Sequence, residues 1–515
     1  MKYGRIMMTA PKSGSGKTII TCGLLSFLKD RRYNVRAYKC GPDYIDPMFH
    51  RRVIGVPGGN LDTFFSDDEA IRRQIAESDC DCAVIEGVMG IYDGITGAAG
   101  RGSCYNVARA TGTPAVLVID VKGMGATMIS VIKGILADDE ACLIRGIVLN
   151  RISGRYYGEI SPQIESALEK ISAERGTEVC LLGGIPNVKD IRLESRHLGL
   201  MMPDEIDDLE EQVTAARNLI AENIDTVKLL EIMSQAEDLN APAVKADGTH
   251  AGAGSAGQND AEDTVPQLTL AVARDEAFCF YYEENLRMLE KCGIRIEEFS
   301  PMYDRRLPED ADGILLGGGY PELYAEDLSD NESMKESIRE SIKGGIPCLA
   351  ECGGFMYLLD EMTTADGKTY PMCGVIEGSS QNTGKLGRFG YITVSGKSDT
   401  GDCAGSLGEE TGFAPEGSLL SGLSIKGHEF HYYDSDNNGE DAVAVKPGTG
   451  RSWECMHASK TVLAGYPHLY YPSCPELIER LKDSMLEYRG ACMSTGSAEE
   501  TDRAEDTDVM SMSER

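Results

Sequence analysis

The sequence predicts an α/β protein of two domains, the first built on a doubly wound parallel sheet. Three observations carry this. Four apolar runs, Arg5–Thr9, Cys82–Glu86, Ala115–Asp120 and Ile144–Asn150, read as buried parallel strands, each followed by a loop and a helical pattern. The stretch "APAVKADGTHAGAGSAGQNDAEDTVPQ", Ala241 to Gln267, has no periodicity and reads as an interdomain linker. Beyond it the alternation of strands and helices restarts, and 515 residues are too many for one hydrophobic core.

Taken in order, "YGRIMMT" leads through a glycine-rich loop into the helix "KTIITCGLLSFLKDRR". "NVRAY" is a further strand, followed by the proline-broken loop "KCGPDYIDPMFH". In the second domain "LTLAVARD" is a strand and "FYYEENLRMLEKCG" a helix ending at Gly293. "GILLGGG" is a strand running into a glycine turn, and "PCLAEC" is another strand. The expected boundaries are residues 1–235 and 267–489 for the domains, 236–266 for the linker and 490–515 for an acidic, disordered tail.

Composition bounds the function. The formal net charge of −33 argues against nucleic-acid binding and against docking on acidic membranes. No apolar run is long enough for a membrane span. The N-terminus lacks the basic start and apolar core of a signal peptide, so a cytoplasmic location is expected. The sixteen scattered cysteines, with no CxxC pair, read as reduced thiols that are mostly buried.

Two motifs carry chemistry. "APKSGSGKT" sits between a strand and a helix, the context a phosphate-binding loop needs. The backbone N–H groups around Gly14, Ser15 and Gly16 would cradle the phosphates of ATP, Lys17 would reach the β and γ phosphates, and the Thr18 hydroxyl would hold Mg²⁺. Pro11 stands where the strict pattern has glycine, and Lys12 occupies the place of a second, signature lysine of some P-loop ATPases. Glu86, ending its strand, is the expected second metal anchor, with Asp93 in the loop beyond. Asp43, Asp46 and His50 could bind metal, orient a substrate or serve only as turn formers.

The second motif is "IPCLAECGGFMYL". A strand feeding a sharp turn and a helix would expose the Cys352 thiol, with its pKa lowered by the helix dipole. The N–H of Gly353 and those of the glycine turn at Gly318 and Gly319 would stabilise an oxyanion. The general base should be a histidine distant in sequence. Spacing does not choose among His428, His431, His457 and His468.

Together these stretches resemble the cobyrinate a,c-diamide synthase family over roughly residues 3 to 480. The similarity lies in "KCGPDYIDPMFH", "NLDTFF", "VIEGVMGIYDG", "SRHLGL", "ARDEAFCFYYEENL", "FSPMYD", "GGGYPELYAEDLSDN", "AECGGFMYL" and "GHEFHYY". The N-terminal half is similar to dethiobiotin synthetase, and the C-terminal half to the class I glutamine amidotransferases of the cobyric-acid type. The resemblance implies that Cys352 releases ammonia from glutamine and that the P-loop domain uses ATP and Mg²⁺ to activate side-chain carboxylates of cobyrinate as acyl phosphates. It implies His468, in "AGYPHLYY", as the base. Tyr470 stands where ordinary class I members carry a glutamate, as in the family. Asp43, Asp46 and Asp93 match positions tied to substrate or intermediate, and Asn150 the position that reads adenine. Arg101, Lys122, Arg151, Arg196 and Arg388 are candidate cations for a polycarboxylate, and Cys104 departs from the family's small residue. A shielded ammonia path is implied, and a homodimer is compatible with the reading. The same reaction on hydrogenobyrinate or nickel-sirohydrochlorin remains open, and the sister cobyric acid synthase fits the motifs less well. From a different class, a regulatory P-loop ATPase with an inactive amidotransferase-like module predicts no glutamine hydrolysis.

Overall fold

The computed structural model describes residues 4–95, 100–188, 195–196, 199–200, 209–239, 267–397 and 417–492. Most of the expected linker and nearly all of the expected tail lie outside these residues. The chain forms two compact units, Met1–Ala256 and Gly257–Arg515.

In the first unit, β1 (Gly4–Thr9), β2 (Val35–Cys40), β3 (Gly58–Leu61), β4 (Cys82–Glu86), β5 (Ala115–Asp120), β6 (Ile144–Asn150) and β7 (Cys180–Ile185) form one sheet. All its pairings are parallel, in the order β3-β2-β4-β1-β5-β6-β7. Burial on both faces explains the uninterrupted apolar runs of β1, β4, β5 and β6. The covering helices include α1 (Lys17–Asp30), α2 (Ile45–Phe49), α3 (Asp68–Ala76) and α4 (Cys104–Thr111). They continue with α5 (Thr127–Ala137), α6 (Gly154–Arg175), α7 (Leu209–Asn223) and α8 (Thr226–Met233). β1 lies mid-sheet between β4 and β5, so the loop leaving it opens onto the crevice where doubly wound sheets take their ligands. A two-residue ribbon, β8 (Ser195–Arg196) with β9 (Gly199–Leu200), follows. β3 and β7 were not expected, because Gly58-Gly59 and Gly183-Gly184 erase the apolar signal.

The second unit contributes β10 (Leu268–Ala273), β11 (Phe278–Phe280), β12 (Ile294–Phe299), β13 (Gly313–Leu316), β14 (Gly318–Gly319) and β15 (Cys348–Glu351). Then come β16 (Leu359–Thr363), β17 (Thr369–Pro371), β18 (Ile376–Asn382), β19 (Phe389–Gly396), β20 (Ser424–Phe430) and β21 (Tyr433–Ser435). The last are β22 (Ala442–Val445), β23 (Ser452–Cys455), β24 (His457–Ala458), β25 (Val462–Gly465) and β26 (His468–Leu469). Its main sheet has the order β12-β10-β13-β15-β25-β24, parallel except for the edge strand β24. The helices α9 (Glu283–Lys291), α10 (Ala325–Asp330), α11 (Glu332–Lys343), α12 (Gly353–Leu358) and one over residues 475–492 complete the unit.

Two expectations need correction here. The helix expected from Phe280 begins only at Glu283, because Phe278–Phe280 pairs with the glycine turn as a strand. Between β15 and β25, with β26 completing the second of them, the unit carries a four-stranded and a five-stranded sheet that the strand-helix alternation does not announce. Their burial alternates, as in β19, so neither a continuous apolar run nor a helical period marks them. Among the described residues no helix is long and apolar enough to cross a membrane, and the described cysteines are free thiols.

Candidate active sites

In the first unit the P-loop turns through Gly14 at φ 72° and Gly16 at φ 90°, and α1 starts at Lys17. Gly16 is constrained twice. Its backbone is left-handed, and a methyl group there would lie 2.2 Å from the Asn150 amide nitrogen. That amide donates to the Ser15 carbonyl at 2.9 Å, so Asn150, expected to read adenine, here pins the loop. Ser15 Oγ donates to the Lys12 carbonyl at 2.9 Å, and Lys17 Nζ donates to the carbonyls of Met89 and Lys12 at 2.7 and 3.3 Å. Burial pushes the Lys17 ammonium down, with nearby Cys104 and Glu86 opposing it. Arg151 Nη2 donates to the Gly14 carbonyl at 2.5 Å and pairs with Asp120 at 2.8 Å.

The carboxyl ends of β2 and β4 then bring a charged cluster together. Thr18 Oγ1 donates to Glu86 Oε1 at 2.6 Å. Lys39 Nζ donates to the same oxygen at 2.9 Å and to Asp46 at closer range, with Asp43 3.9 Å away. His50 Nε2 lies 3.5 Å from Glu86 Oε2. Lys39, Asp46, His50 and Glu86 are all buried. Burial pushes Glu86 up, but Lys39, His50 and Thr18 outweigh it and hold the carboxyl well below its usual range. Asp46 is driven the other way by burial and by Asp43, despite Lys39. Lys39 is raised in turn, because its three carboxylates more than offset burial.

The sequence left Asp43, Asp46 and His50 open between site and turn, and the structure gives both readings a part. Asp43 Oδ1 accepts from the N–H groups of Ile45 and Asp46, which is turn chemistry, whereas Asp46 and His50 reach the cluster at Glu86. Asp93 is exposed and accepts from the Gly90 N–H at 2.8 Å, closing its own loop. Cys104 is wholly buried, its sulfur bonded to the N–H and carbonyl of Val88, so it packs beneath the strand end. Arg101 and Lys122 are exposed, Arg388 belongs to the second unit, and the Arg196 side chain lies outside the described residues. Lys39 was missed. Its signal is a lysine in an otherwise buried strand, "VRAYKC".

In the second unit β13, β15 and β25 are adjacent and parallel, with Glu351 opposite Gly465. Their carboxyl ends deliver the glycine turn, Cys352 and the segment Tyr466-Pro467-His468. Cys352 sits at φ 48°, ψ −101°, an unusual conformation for a non-glycine residue. Its N–H donates to the Gly465 carbonyl at 2.8 Å, and Gly354 N–H donates to Gly317 at 2.9 Å. The strand–turn–helix context is as expected, but the thiol is buried, 8% exposed. Burial pushes it up, reinforced by Glu322, and this outweighs the Gly353 N–H, so the expected lowering by the helix is not met. In the glycine turn the N–H groups of Gly317 and Tyr320 are taken by Tyr281 and Ala277, and Gly318–Gly319 pair with β11. A methyl group on Gly353 would lie 3.2 Å from the Gly319 nitrogen, so Gly319 and Gly353 do adjoin.

His468 is buried and stacks on His428, ring centroids 4.9 Å apart, with Tyr282 Oη 2.9 Å from His428 Nδ1. Burial holds both imidazoles down, His428 to about 3. His431 stacks on Tyr466 at 4.1 Å and lies 3.2 Å from Glu429, while His457 packs on Phe355. Gly318 admits the His468 ring: a methyl group there would fall 2.3 Å from Cε1. Gly318→Ala should therefore displace the ring and lower glutamine hydrolysis by about 100-fold. Steady-state glutaminase assays check this, with ammonium-dependent turnover as the unaffected reference.

Comparison with known proteins agrees with this division. The CobQ/CobB/MinD/ParA nucleotide binding domain family matches residues 6–200, and the CobB/CobQ-like glutamine amidotransferase domain family matches residues 269–474. The chain is 35% identical over 480 residues to the cobyrinate a,c-diamide synthase of Clostridium tetani, covering 92% of this chain and 99% of the relative. It is 34% identical to that of Caldanaerobacter subterraneus subsp. tengcongensis, covering 93% and 97%. Against that of Thermoplasma acidophilum the identity is 37%, covering 93% and 99%.

Proposed function

The chain belongs to the cobyrinate a,c-diamide synthase family, and from that premise we propose how its two units share the reaction. It is a glutamine-hydrolysing ligase of cobalamin biosynthesis that uses ATP to convert side-chain carboxylates of cobyrinate to amides. In the second unit Cys352 Sγ attacks the side-chain amide carbon of glutamine while His468 takes the thiol proton. The histidine then gives that proton to the departing nitrogen, ammonia leaves, and water hydrolyses the glutamyl thioester. The N–H groups of Gly353 and of the Gly318–Gly319 turn are the donors assigned to the oxyanion.

In the first unit the loop Gly14-Ser15-Gly16 holds the ATP phosphates, with Asn150 fixing the loop and assigned to the adenine. A substrate carboxylate oxygen takes the γ-phosphoryl group, giving an acyl phosphate and ADP. Ammonia then attacks the acyl carbon, and phosphate leaves in place of the oxide that a free carboxylate would have to expel. Lys17 and Lys39 offset charge on the transferring group, while Asp43, Asp46 and Asp93 are assigned to substrate and intermediate. The Thr18 hydroxyl and Glu86 carboxylate, 2.6 Å apart, are hard oxygen donors suited to Mg²⁺. Bound there, Mg²⁺ would neutralise phosphate charge. The cytoplasm, where thiols stay reduced, is the assigned compartment.

The observation that carries the reading is the departure of Cys352 and His468 from neighbouring parallel strands at one sheet end. Mass spectrometry of a reaction with cobyrinate, ATP, Mg²⁺ and glutamine tests it. Two successive losses of about one mass unit, OH replaced by NH₂ through an acyl intermediate, are expected. Lys17→Ala should abolish product with glutamine or with ammonium while leaving glutamine hydrolysis measurable. Absence of both amidation and glutamine hydrolysis would overturn the reading in favour of a regulatory ATPase.

A further inference from the structure

The position two residues after His468, where ordinary class I members carry glutamate, is Tyr470. Its N–H donates to the Lys426 carbonyl, and its ring packs edge-on against Tyr282, so it supplies no carboxylate. A buried carboxylate reaches His468 from another element. Glu351 ends β15 and immediately precedes the nucleophile. Its Oε2 lies 3.9 Å from His468 Nδ1, its Oε1 accepts from the Tyr471 hydroxyl at 2.9 Å, and the Leu469 N–H is bonded to it as well. One side chain thus engages three residues of the segment that presents the histidine. Asn285 ties the same segment from the other side, donating to the Leu469 carbonyl and accepting from the Tyr471 N–H.

We propose that Glu351 is the positioning residue that orients His468 for proton transfer from Cys352, in the role for which position 470 offers no carboxylate. The proposal rests on the reading of Cys352 and His468 as the glutamine-hydrolysing pair. Its logic is geometric. His428 on one face and Gly318 beside the ring fix the plane of the imidazole, but neither fixes which nitrogen carries the hydrogen. For Nε2 to accept the thiol proton, Nδ1 must hold the other, and an acceptor at the Nδ1 edge selects that tautomer. At 3.9 Å the contact is longer than a hydrogen bond, and such contacts tighten in the complex with substrate. Burial pushes the Glu351 carboxyl up to about 8 although Tyr471 and the Leu469 N–H oppose it. A carboxyl oxygen accepts more strongly from the N–H of an imidazolium than from that of a neutral imidazole, so the attraction is stronger after proton transfer than before. Differential stabilisation of this kind raises kcat rather than affinity. Placing the carboxylate one residue before the nucleophile also locks both partners to the same parallel strand pair.

The test uses the full-length enzyme and measures kcat and KM for glutamine hydrolysis beside ammonium-dependent amidation, for Glu351→Gln, Tyr471→Phe, Cys352→Ala and His468→Ala. For Glu351→Gln the expected result is a fall in kcat of about 10- to 100-fold with KM for glutamine within about twofold and the ammonium-dependent rate unchanged. Tyr471→Phe should lower kcat several-fold, less than Glu351→Gln. The proposal is overturned if Glu351→Gln keeps kcat within about twofold, raises KM alone, or lowers the ammonium-dependent rate in parallel. Should Glu351→Gln fail to fold, Tyr471→Phe decides: an unchanged kcat overturns the proposal. Hydrolysis retained in Cys352→Ala and His468→Ala would overturn the underlying glutaminase reading and this inference with it. Hydrolysis lost in those two but kept in Glu351→Gln overturns the Glu351 role alone.

Discussion

With Cys352 replaced by alanine, amidation supported by glutamine falls by about a thousandfold or more, while amidation supported by ammonium persists. The asymmetry follows from what the thiol does. In the proposed mechanism it forms the bond to glutamine and takes no part in the chemistry of the P-loop unit. Alanine occupies the same space less one sulfur and meets the same backbone demand, since φ 48° is as unusual for alanine as for cysteine. The carbonyl of Gly465 keeps its partner, the N–H of residue 352. The expected outcome is therefore a folded protein with one chemistry removed. Side-by-side product analysis with glutamine and with ammonium chloride measures it. Loss of both activities would place Cys352 in the fold rather than in the reaction.

Replacing Lys39 by methionine should produce a large loss of stability in the first unit. Its ammonium is buried among Asp46, Glu86 and Asp43, and deleting one member of such a cluster typically costs about 3–5 kcal/mol because the remaining charges lose their partner. ATP-dependent amidation should fail with either nitrogen source, while glutamine hydrolysis in the second unit survives at temperatures below the new midpoint. Denaturation monitored beside activity checks both. The pH dependence has a definite sign. Lys39 is raised in the fold, so its contribution is complete below the ordinary lysine value of 10.5 and is lost as pH climbs through the folded value. Glu86 is lowered, so its contribution is complete above 4.5 and is lost as pH falls through its folded value. Wild-type stability should show both limbs, and the methionine variant a weaker alkaline one, since buried thiols and tyrosines raised by burial still contribute to it.

The central strands were legible because a strand buried on both faces has to be written as a continuous apolar run, and β1, β4, β5 and β6 are. The P-loop was legible because a backbone cradle requires small residues in a fixed spacing before a helix. What escaped lies where the signal is spatial. Lys39 and Glu351 are single charges inside buried strands, meaningful only once β4 and the His468 segment are brought beside them. Asp43 reads as both turn former and ligand candidate because one carboxylate can offer an oxygen to each, Oδ1 to the turn and Oδ2 toward Lys39. The Cys352 thiol is raised rather than lowered because burial, which no local sequence pattern shows, outweighs the dipole of a short helix. The additional sheets of the second unit, with only one face of each strand buried, leave alternating patterns too short to stand out from loops.

The raised thiol and the lowered imidazole have a consequence for the enzyme between turnovers. Peroxides and alkylating electrophiles react with thiolates far faster than with thiols. Burial favours the neutral thiol of Cys352 and the neutral imidazole of His468, and the burial that opposes ionisation also shields the thiol from oxidative wear. Durability toward oxidants and readiness to attack are thus separated in time. In the proposed mechanism the thiol stays chemically quiet until an amide arrives, whereas Cys492 is exposed.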